Sequence, residues 1–206
     1  SATNQCKAGV LFNMTVHRSC MRIWLASASS RRFSWLNQRI DNIHQQALDD
    51  VDEAIYNGTV AEQVLAICQK KAAAVTNNGD FDYVIVADTL VEDPDNEDLA
   101  LGKPTDELTA ANMLLRLRGR RHRVFSATGI QHDGNWDFFV ESAVVEVSDY
   151  SDDALVELVE NKSWEGKAGA YDIAGEMGEF AQLVDGAEVC VLGFASSAID
   201  ELLRKI

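Results

Sequence analysis

The sequence predicts an α/β fold in which helices flank a mixed sheet with long antiparallel hairpins. Residues 82–89, DYVIVADT, form a continuous apolar run rich in β-branched residues, which is typical of a buried central strand. The capping box Thr59-Val-Ala-Glu62 and the apolar spacing after it indicate a helix over 60–76. Asp133-Gly134 separates two strand-like segments and is a strong hairpin signal. A length of 206 residues fits one domain, which can be divided into two lobes.

The other elements are predicted from apolar spacing and turn residues. The run from Ile23 to Ala26 indicates a short buried strand, and a hydroxyl-rich turn connects it to a helix over 31–38. The acidic segment EDPDNED, residues 92–98, is predicted to close a hairpin. The remaining predictions are a helix from Asp106 to Leu117 stopped by Gly119, an acidic helix from Ser151 to near Asn161, a second hairpin at Asp185-Gly186, and a C-terminal helix opened by Ser196 or Ser197.

The charge balance argues against a nucleic-acid-binding protein. With 33 acidic and 18 basic residues, the formal net charge is -15, which repels polyanions over most of the surface. No apolar run reaches the roughly 20 residues that cross a membrane, and residues 1–20 lack the basic start and long apolar centre of a secretion signal. We therefore expect a soluble cytoplasmic protein without a nucleic-acid or membrane partner. Its cysteines show no CxxC pair or zinc spacing and are expected to be reduced thiols.

The segment MRIWLASASSRRFSW, residues 21–35, has the features of an anion-binding turn. The first N–H groups of a helix lack intrahelical partners and carry the positive end of the helix dipole, so an anion is stabilised there. Arg31 and Arg32 add two cations at the same point. In the alternative interpretation, Ser29 or Ser30 is only an N-cap and the arginines form a solvated face. This stretch alone does not decide between the two.

Carboxylates and further cations follow at later turns. Asp88 is predicted to end the strand at 82–89, where a carboxylate is well placed for chemistry, although an isolated aspartate there could be only a turn residue or N-cap. Phosphoanhydride hydrolysis needs both kinds of group, because cations and a divalent metal spread the transition-state charge while a carboxylate holds the metal or orients water. The candidates, in chain order, are Ser27, Arg31, Arg32, Asp52, Glu53, Lys71, Asp88, Thr89 and Lys103.

Seven short motifs carry a resemblance to a known family. The pieces LASASSRR, DDVDE, QKKAAAV, VADT, LGKP, GRRHRV and KAGAYDIAG occur in the same order and at similar separations as in the Maf-like nucleoside triphosphate pyrophosphatases. Each piece is weak alone, but seven ordered matches are hard to obtain by chance. The resemblance covers 21–206, while residues 1–20 have no counterpart and are expected to be an amino-terminal extension. It implies a two-lobed fold related to the inosine triphosphate pyrophosphatases, with a long curved sheet and a cleft between the lobes.

The resemblance also implies an activity. Family members are usually homodimers that hydrolyse a nucleoside triphosphate to the monophosphate and pyrophosphate with a divalent cation, Mg²⁺ or Mn²⁺ here. They are associated with removing non-standard or surplus nucleotides, and some with arresting cell division. The implied roles are acid/base catalysis by Asp88, metal or water binding by Glu53 together with Asp88, phosphate binding by Lys71 and Lys103, and substrate anchoring by Ser27, Arg31, Arg32 and Thr89.

A second function class remains open at this point. The chain could be a nucleotide-binding regulator of cell division that does not depend on turnover. A pure binder has little reason to place carboxylates such as Asp88 and Glu53 beside a triphosphate, so their presence favours the enzyme.

Two departures from the family pattern affect the expectations. Ser30 stands where a proline is usual, which changes the stiffness of the turn but removes no ligand. The pyrimidine-specific branch usually reads GAYGIQG, whereas this chain has Asp172 and Ala174 in place of the glycine and glutamine. Because an alanine methyl cannot make amide hydrogen bonds to a base, dTTP and UTP specificity is not carried over. Either base tolerance is broader, or Asp172 supplies a different base contact.

Overall fold

The computed structural model describes residues 21–49, 51–54, 57–76 and 79–206, so the predicted amino-terminal extension lies outside the described residues. One mixed sheet organises the fold, with strand order β2-β1-β3-β5-β6-β7 and with β4 paired to β3. Its strands are β1 (Ile23–Leu25), β2 (Ile43–Gln45), β3 (Tyr83–Asp93), β4 (Asn96–Leu101), β5 (Arg121–His132), β6 (Asn135–Val147) and β7 (Ala181–Asp185).

Helices cover the sheet and complete the predicted α/β architecture. They are α1 (Ser30–Asn37), α2 (Val60–Ala74), α3 (Glu107–Leu117), α4 (Asp152–Glu160), α5 (Glu188–Leu192) and α6 (Ser196–Lys205), with short 3-10 turns at Ala168–Ala170 and Glu176–Glu179. Strand β1 is parallel to both β2 and β3, whereas the other pairings are antiparallel. None of these helices is long and apolar enough to cross a membrane.

Local chemistry explains most element ends. The α2 capping box forms in both directions between Thr59 and Glu62, and Gly119 takes a positive φ of 70° just after α3. The β5–β6 hairpin turns at Asp133-Gly134, where φ is 49° and 78°, as a tight turn of the primed class requires. These predictions are confirmed.

Two element predictions are wrong. Strand β3 does not end at Asp88 but continues to Asp93, because the apolar residues after Asp88 go on pairing with β5 as far as Val91. The turn at Asp185-Gly186 leads into α5 and not into another strand. Cys190, Val191 and Leu192 are all buried there, and the N–H of Gly193 bonds to the carbonyl of Val189 four residues earlier, as in an α-helical turn.

The hydrophobic core separates into two lobes. In the first lobe, alternate residues of β3 face opposite sides of the sheet, so Ile85 packs with α1 and α6 while Val86 packs with α2. Cys68 of α2 is fully buried in the latter cluster. The second lobe packs α3, α4 and the segment 164–177 against the far ends of β5, β6 and β7. This division leaves a cleft where the lobes meet on β3.

Candidate active site

The cleft between the lobes has a volume of about 580 Å³ and gathers most of the candidate residues. Its first-lobe wall is the turn between β1 and α1, the end of α2 and the middle of β3, and residues 165–168 contribute the opposite wall. The predicted site residues that line it are Ser27, Arg31, Arg32, Glu53, Lys71, Asp88, Thr89 and Lys103. Asp172 and Ala174 do not line it, and the exposed Asp52 pairs with Lys70 at 3.7 Å.

Lys71 lies at the centre of the charged groups. It is only 9% exposed, and Asp88 is only 4% exposed. The Lys71 ammonium donates to Oδ1 of Asp88 at 2.6 Å and lies 2.9 Å from Oε1 of Glu53. It reaches this position because α2 packs across β3 and places Lys71 over the carbonyl of Ala87, 3.4 Å away. One buried cation therefore brings two carboxylates together, and Asp88 keeps its second oxygen free of hydrogen-bond donors from the described residues.

Glu53 connects this centre to the open side of the cleft. Its other oxygen lies 3.6 Å from the ammonium of Lys103, which is half exposed. Burial raises the pKa of Glu53, but the ammonium groups of Lys71 and Lys103 outweigh that effect and leave the pKa below its ordinary value. Glu53 is therefore an anion at neutral pH, and it faces the position where a ligand would enter.

The turn between β1 and α1 presents backbone donors to the cleft. Ser29 is the N-cap of α1 and accepts from the N–H of Arg32 at 3.3 Å. The N–H groups of Ala28, Ser30 and Arg31 have no acceptor in the part of the chain that the structure describes, and all three residues line the cleft. Ser29 is therefore an N-cap, as the alternative interpretation predicts. The same helix terminus can also accept an anion.

The two arginines are held by the chain near residue 193. Arg31 donates to the Leu192 carbonyl at 3.1 Å and to Oδ1 of Asp172 at 3.0 Å. Arg32 donates to the Gly193 carbonyl at 2.8 Å and to the hydroxyl of Thr89 at 2.9 Å, and burial lowers its pKa below the ordinary value. These bonds fix both guanidinium groups at the edge of the cleft.

A glycine is required where Arg32 meets the C-terminal segment. Gly193 has a φ of 120°, and a Cβ atom on it would lie 2.7 Å from the Arg32 Nε. Both the backbone conformation and the close contact exclude a larger residue. The position of Arg32 therefore depends on this glycine.

A buried histidine anchors the second-lobe wall. Nε2 of His122, on β5, lies 2.8 Å from the hydroxyl of Tyr171, and both residues are about 95% buried. Burial lowers the pKa of His122 to about 4, so its ring is neutral at ordinary pH. Tyr171 precedes Asp172, the partner of Arg31, whereas the exposed Ala174 contacts that carboxylate only through its backbone N–H.

Sequence reasoning gave no firm role to two groups around the cleft, Gln45 and Lys167. Gln45, at the end of β2, donates to two carbonyl groups of the β1–α1 turn, yet its strand is too short to give a periodic signal. Lys167 lines the second-lobe wall. It belongs to the motif KAGAYDIAG, where the residues alone indicate only a tight glycine-containing turn and the family resemblance alone points to a role at the cleft.

The donor set limits the kind of metal site that fits. The described residues contain no group of three or more histidine, cysteine, aspartate or glutamate side chains that could hold a metal ion by themselves. Glu53 and Asp88 offer two carboxylates beside the cleft. Mg²⁺ commonly binds through one or two carboxylates together with substrate phosphates, so these residues fit a divalent cation that arrives with a phosphorylated ligand.

Comparison with known proteins identifies the family of this chain. A family model described as Maf-like protein matches residues 22–206. A dTTP/UTP pyrophosphatase of Clostridium beijerinckii is 32% identical over 90% of this chain and 100% of that protein, and one of Bacillus velezensis is 35% identical over 84% and 89%. A Ham1 protein structure from Staphylococcus aureus is similar with a TM-score of 0.42 and 18% identity, covering 62% of this chain and 72% of the other. The extent of the family match, together with relatives above 30% identity over nearly their whole length, shows that the chain belongs to the Maf-like family.

Proposed function

We propose that this protein hydrolyses nucleoside triphosphates to nucleoside monophosphates and pyrophosphate. The observation that carries the proposal is the meeting of Asp88, Glu53 and Lys71 in a cleft whose facing turn offers unpaired backbone N–H groups. Cations and helix-terminal N–H groups stabilise phosphate, and a carboxylate with a free oxygen can orient the attacking water. The curated relatives named dTTP/UTP pyrophosphatase support the same reaction.

Each group has a role in this proposal. The triphosphate binds against the β1–α1 turn, with Ser27, Arg31 and Lys103 near its oxygens. The unpaired oxygen of Asp88 accepts a proton from the attacking water. Lys71 keeps the Asp88 and Glu53 carboxylates oriented through bonds of 2.6 and 2.9 Å. Arg32 holds Thr89 and Ser27 in place, since its guanidinium contacts both hydroxyl groups.

A divalent cation completes the proposed site. Mg²⁺ or Mn²⁺ held by Glu53 and Asp88 with the substrate phosphates would neutralise the charge that develops on the phosphate oxygens. The two carboxylates would then be shared between Lys71 and the cation. The same two carboxylates weigh against the alternative, a regulator of cell division that only binds nucleotides.

For the base, we propose broader tolerance than a strict dTTP and UTP preference, with non-standard or surplus nucleotides among the substrates. Ala174 has no polar side-chain atom, and the Asp172 carboxylate is bonded to Arg31. Neither residue lines the cleft, so neither offers a base-reading group there without rearrangement. We further expect a homodimer that acts in the cytoplasm.

A nucleotide panel tests the proposal. Purified protein is incubated with standard and modified nucleoside triphosphates in Mg²⁺, in Mn²⁺ or with a chelator, and pyrophosphate release is measured. We expect metal-dependent release from several bases. Binding without release would support the regulator, strict dTTP and UTP preference would contradict broad tolerance, and one sharply preferred purine would favour a base contact from Asp172.

A further inference from the structure

We propose that Gln45 is a positioning residue for the phosphate-binding turn at 27–30. It holds two peptide groups of that turn so that the N–H groups of Ala28 and Ser30 face the cleft. The inference rests on the proposed function and deepens it, because it names the backbone donors that meet a phosphate and the side chain that orients them.

Gln45 lies on β2, the edge strand of the sheet, and its side chain contacts the neighbouring turn. Gln45 is the last residue of β2 and is paired in register with Leu25 of β1. Its side-chain amide donates to the Ser27 carbonyl at 3.0 Å and to the Ser29 carbonyl at 3.2 Å. An amide nitrogen carries two hydrogens, so both are used on this turn.

Peptide geometry determines how these two bonds orient the N–H groups of Ala28 and Ser30. In a trans peptide the carbonyl and the following N–H lie in one plane and point in opposite directions, and the described chain has no cis peptide bond. The Ser27 carbonyl shares its plane with the N–H of Ala28, and the Ser29 carbonyl shares its plane with the N–H of Ser30. Drawing both carbonyls toward β2 therefore turns both N–H groups away from β2. Ala28 and Ser30 both line the cleft.

The helix alone does not fix this arrangement. The Ser29 carbonyl also accepts from the N–H of Phe33 at 3.1 Å, which is the first bond of α1. The Ser27 carbonyl has Gln45 as its only donor in the described part of the chain. Without Gln45, no donor among the described residues holds the Ser27 carbonyl, and the N–H of Ala28 need not meet a phosphate.

Two substitutions remove the amide hydrogens without shortening the side chain. Gln45→Met loses both donors, and Gln45→Glu replaces them with a carboxylate that repels the two carbonyls. Gln46→Met is the matched control, because Gln46 is exposed and its side chain contacts His44 at 3.3 Å instead of the turn. We expect both Gln45 variants to raise KM for the triphosphate about ten-fold or more, since an N–H bond to a charged group is strong, while kcat changes much less. The dissociation constant of inorganic tripolyphosphate, measured by calorimetry, should rise in parallel.

A KM and a tripolyphosphate affinity equal to those of Gln46→Met would overturn the proposal. A loss confined to kcat or to the melting temperature would overturn it as well, because that result indicates a purely structural role.

A second measurement does not depend on the variants folding. In the ¹⁵N-labelled wild-type protein, tripolyphosphate should shift the amide resonances of Ala28 and Ser30 more than those of residues on β2. Unshifted Ala28 and Ser30 resonances at saturating ligand would contradict the inference. If the wild-type protein releases no pyrophosphate from any nucleotide, the proposed function fails, yet these resonances and the tripolyphosphate affinity of the Gln45 variants still test the inference.

Discussion

Asp88 and Asp93 lie on the same strand, β3, and differ in what surrounds them. Both are nearly buried, at 4% and 1% exposed, and each is paired with a cation from a helix packed on the sheet. The partner of Asp88 is Lys71 of α2, and that of Asp93 is Arg116 of α3. Residue type, burial and strand are therefore common to both sites.

The difference is in how many acceptor positions each partner occupies. Arg116 contacts both oxygens of Asp93 through its planar guanidinium, and the N–H of Asp95 adds a bond of 2.8 Å. The Arg116 bonds hold the pKa of Asp93 below its ordinary value. Lys71 occupies a single oxygen of Asp88, and Asp88 lines the cleft. A carboxylate saturated by a guanidinium stabilises the fold, whereas one held at a single point keeps an oxygen for a ligand.

The sharpest test of this comparison is to remove the charge from each aspartate in turn. Asp88→Asn should lower pyrophosphate release by roughly 10²-fold or more while the protein stays folded, because a proton acceptor is lost. Asp93→Asn should instead lower the free energy of unfolding by on the order of 2 kcal/mol through weakened charge-assisted bonds, with turnover retained. Steady-state kinetics and urea unfolding on both variants separate these effects. Near-normal turnover in Asp88→Asn would remove Asp88 from the mechanism.

The second test concerns another enclosed group, His122. Its pKa is about 4 in the folded protein against an ordinary value of 6.5, so between these values the unfolded chain binds the proton and the folded protein does not. Above about pH 6.5, His122 should add no pH dependence to the free energy of unfolding. As the pH is lowered from 6.5 to 4, that free energy should fall by about 3 kcal/mol.

Urea unfolding from pH 4 to 8 measures this dependence. His122→Gln removes the titrating ring and should have a correspondingly flatter pH profile over that range. Identical profiles for the variant and the wild type would show that His122 does not contribute to the pH dependence.

The third test compares cations inside and outside the cleft. Lys103→Ala and Arg31→Ala should weaken triphosphate binding about ten-fold and monophosphate binding much less, because charge-assisted bonds to the phosphate chain are lost. Arg121→Ala is the control, since Arg121 is exposed and pairs with Glu146 at 2.9 Å on the surface. Inhibition constants for a tripolyphosphate and a monophosphate provide the comparison. Equal losses for both ligands would show that these cations do not meet the phosphate chain.

The smallest expected effect is on base preference. Ala174→Gln adds an amide that can hydrogen-bond a base edge, so we expect kcat/KM to shift toward dTTP or UTP. The shift should be only a few-fold, because Ala174 is exposed and outside the cleft lining. Competition between dTTP and a purine nucleotide measures it, and an unchanged ratio would exclude a role for position 174.

The sequence is informative where the signal is local. The capping box before α2 and the Asp-Gly pair between β5 and β6 act over a few residues, and both elements appear where predicted. The end of β3 was not predictable in this way, because Asp88 resembles a strand terminator and only pairing with β5 carries the strand past it.

The site shows the same division between local and distant information. Charged residues at turns, such as Lys71 and Lys103, could be identified as candidates by type and by motif. The partners of Arg31 and Gln45 could not, because the bonds to Leu192 and Ser27 join segments that meet only in the folded sheet. The acceptors of these bonds are backbone carbonyls, which every residue has. The residue types therefore do not indicate which positions supply them.

The bonds from Arg31 and Arg32 to the carbonyls of Leu192 and Gly193 each span 161 positions of the chain. During synthesis at roughly 5 to 20 residues per second, the arginines wait about 10 to 30 seconds for these acceptors to be made. The turn at 27–30 and the strands beside it can form earlier, but each guanidinium group lacks one of its backbone acceptors until then. A nascent or prematurely terminated chain that stops before Leu192 would therefore contain the charged groups of the cleft while lacking the two carbonyl acceptors that tie its arginines to the C-terminal segment.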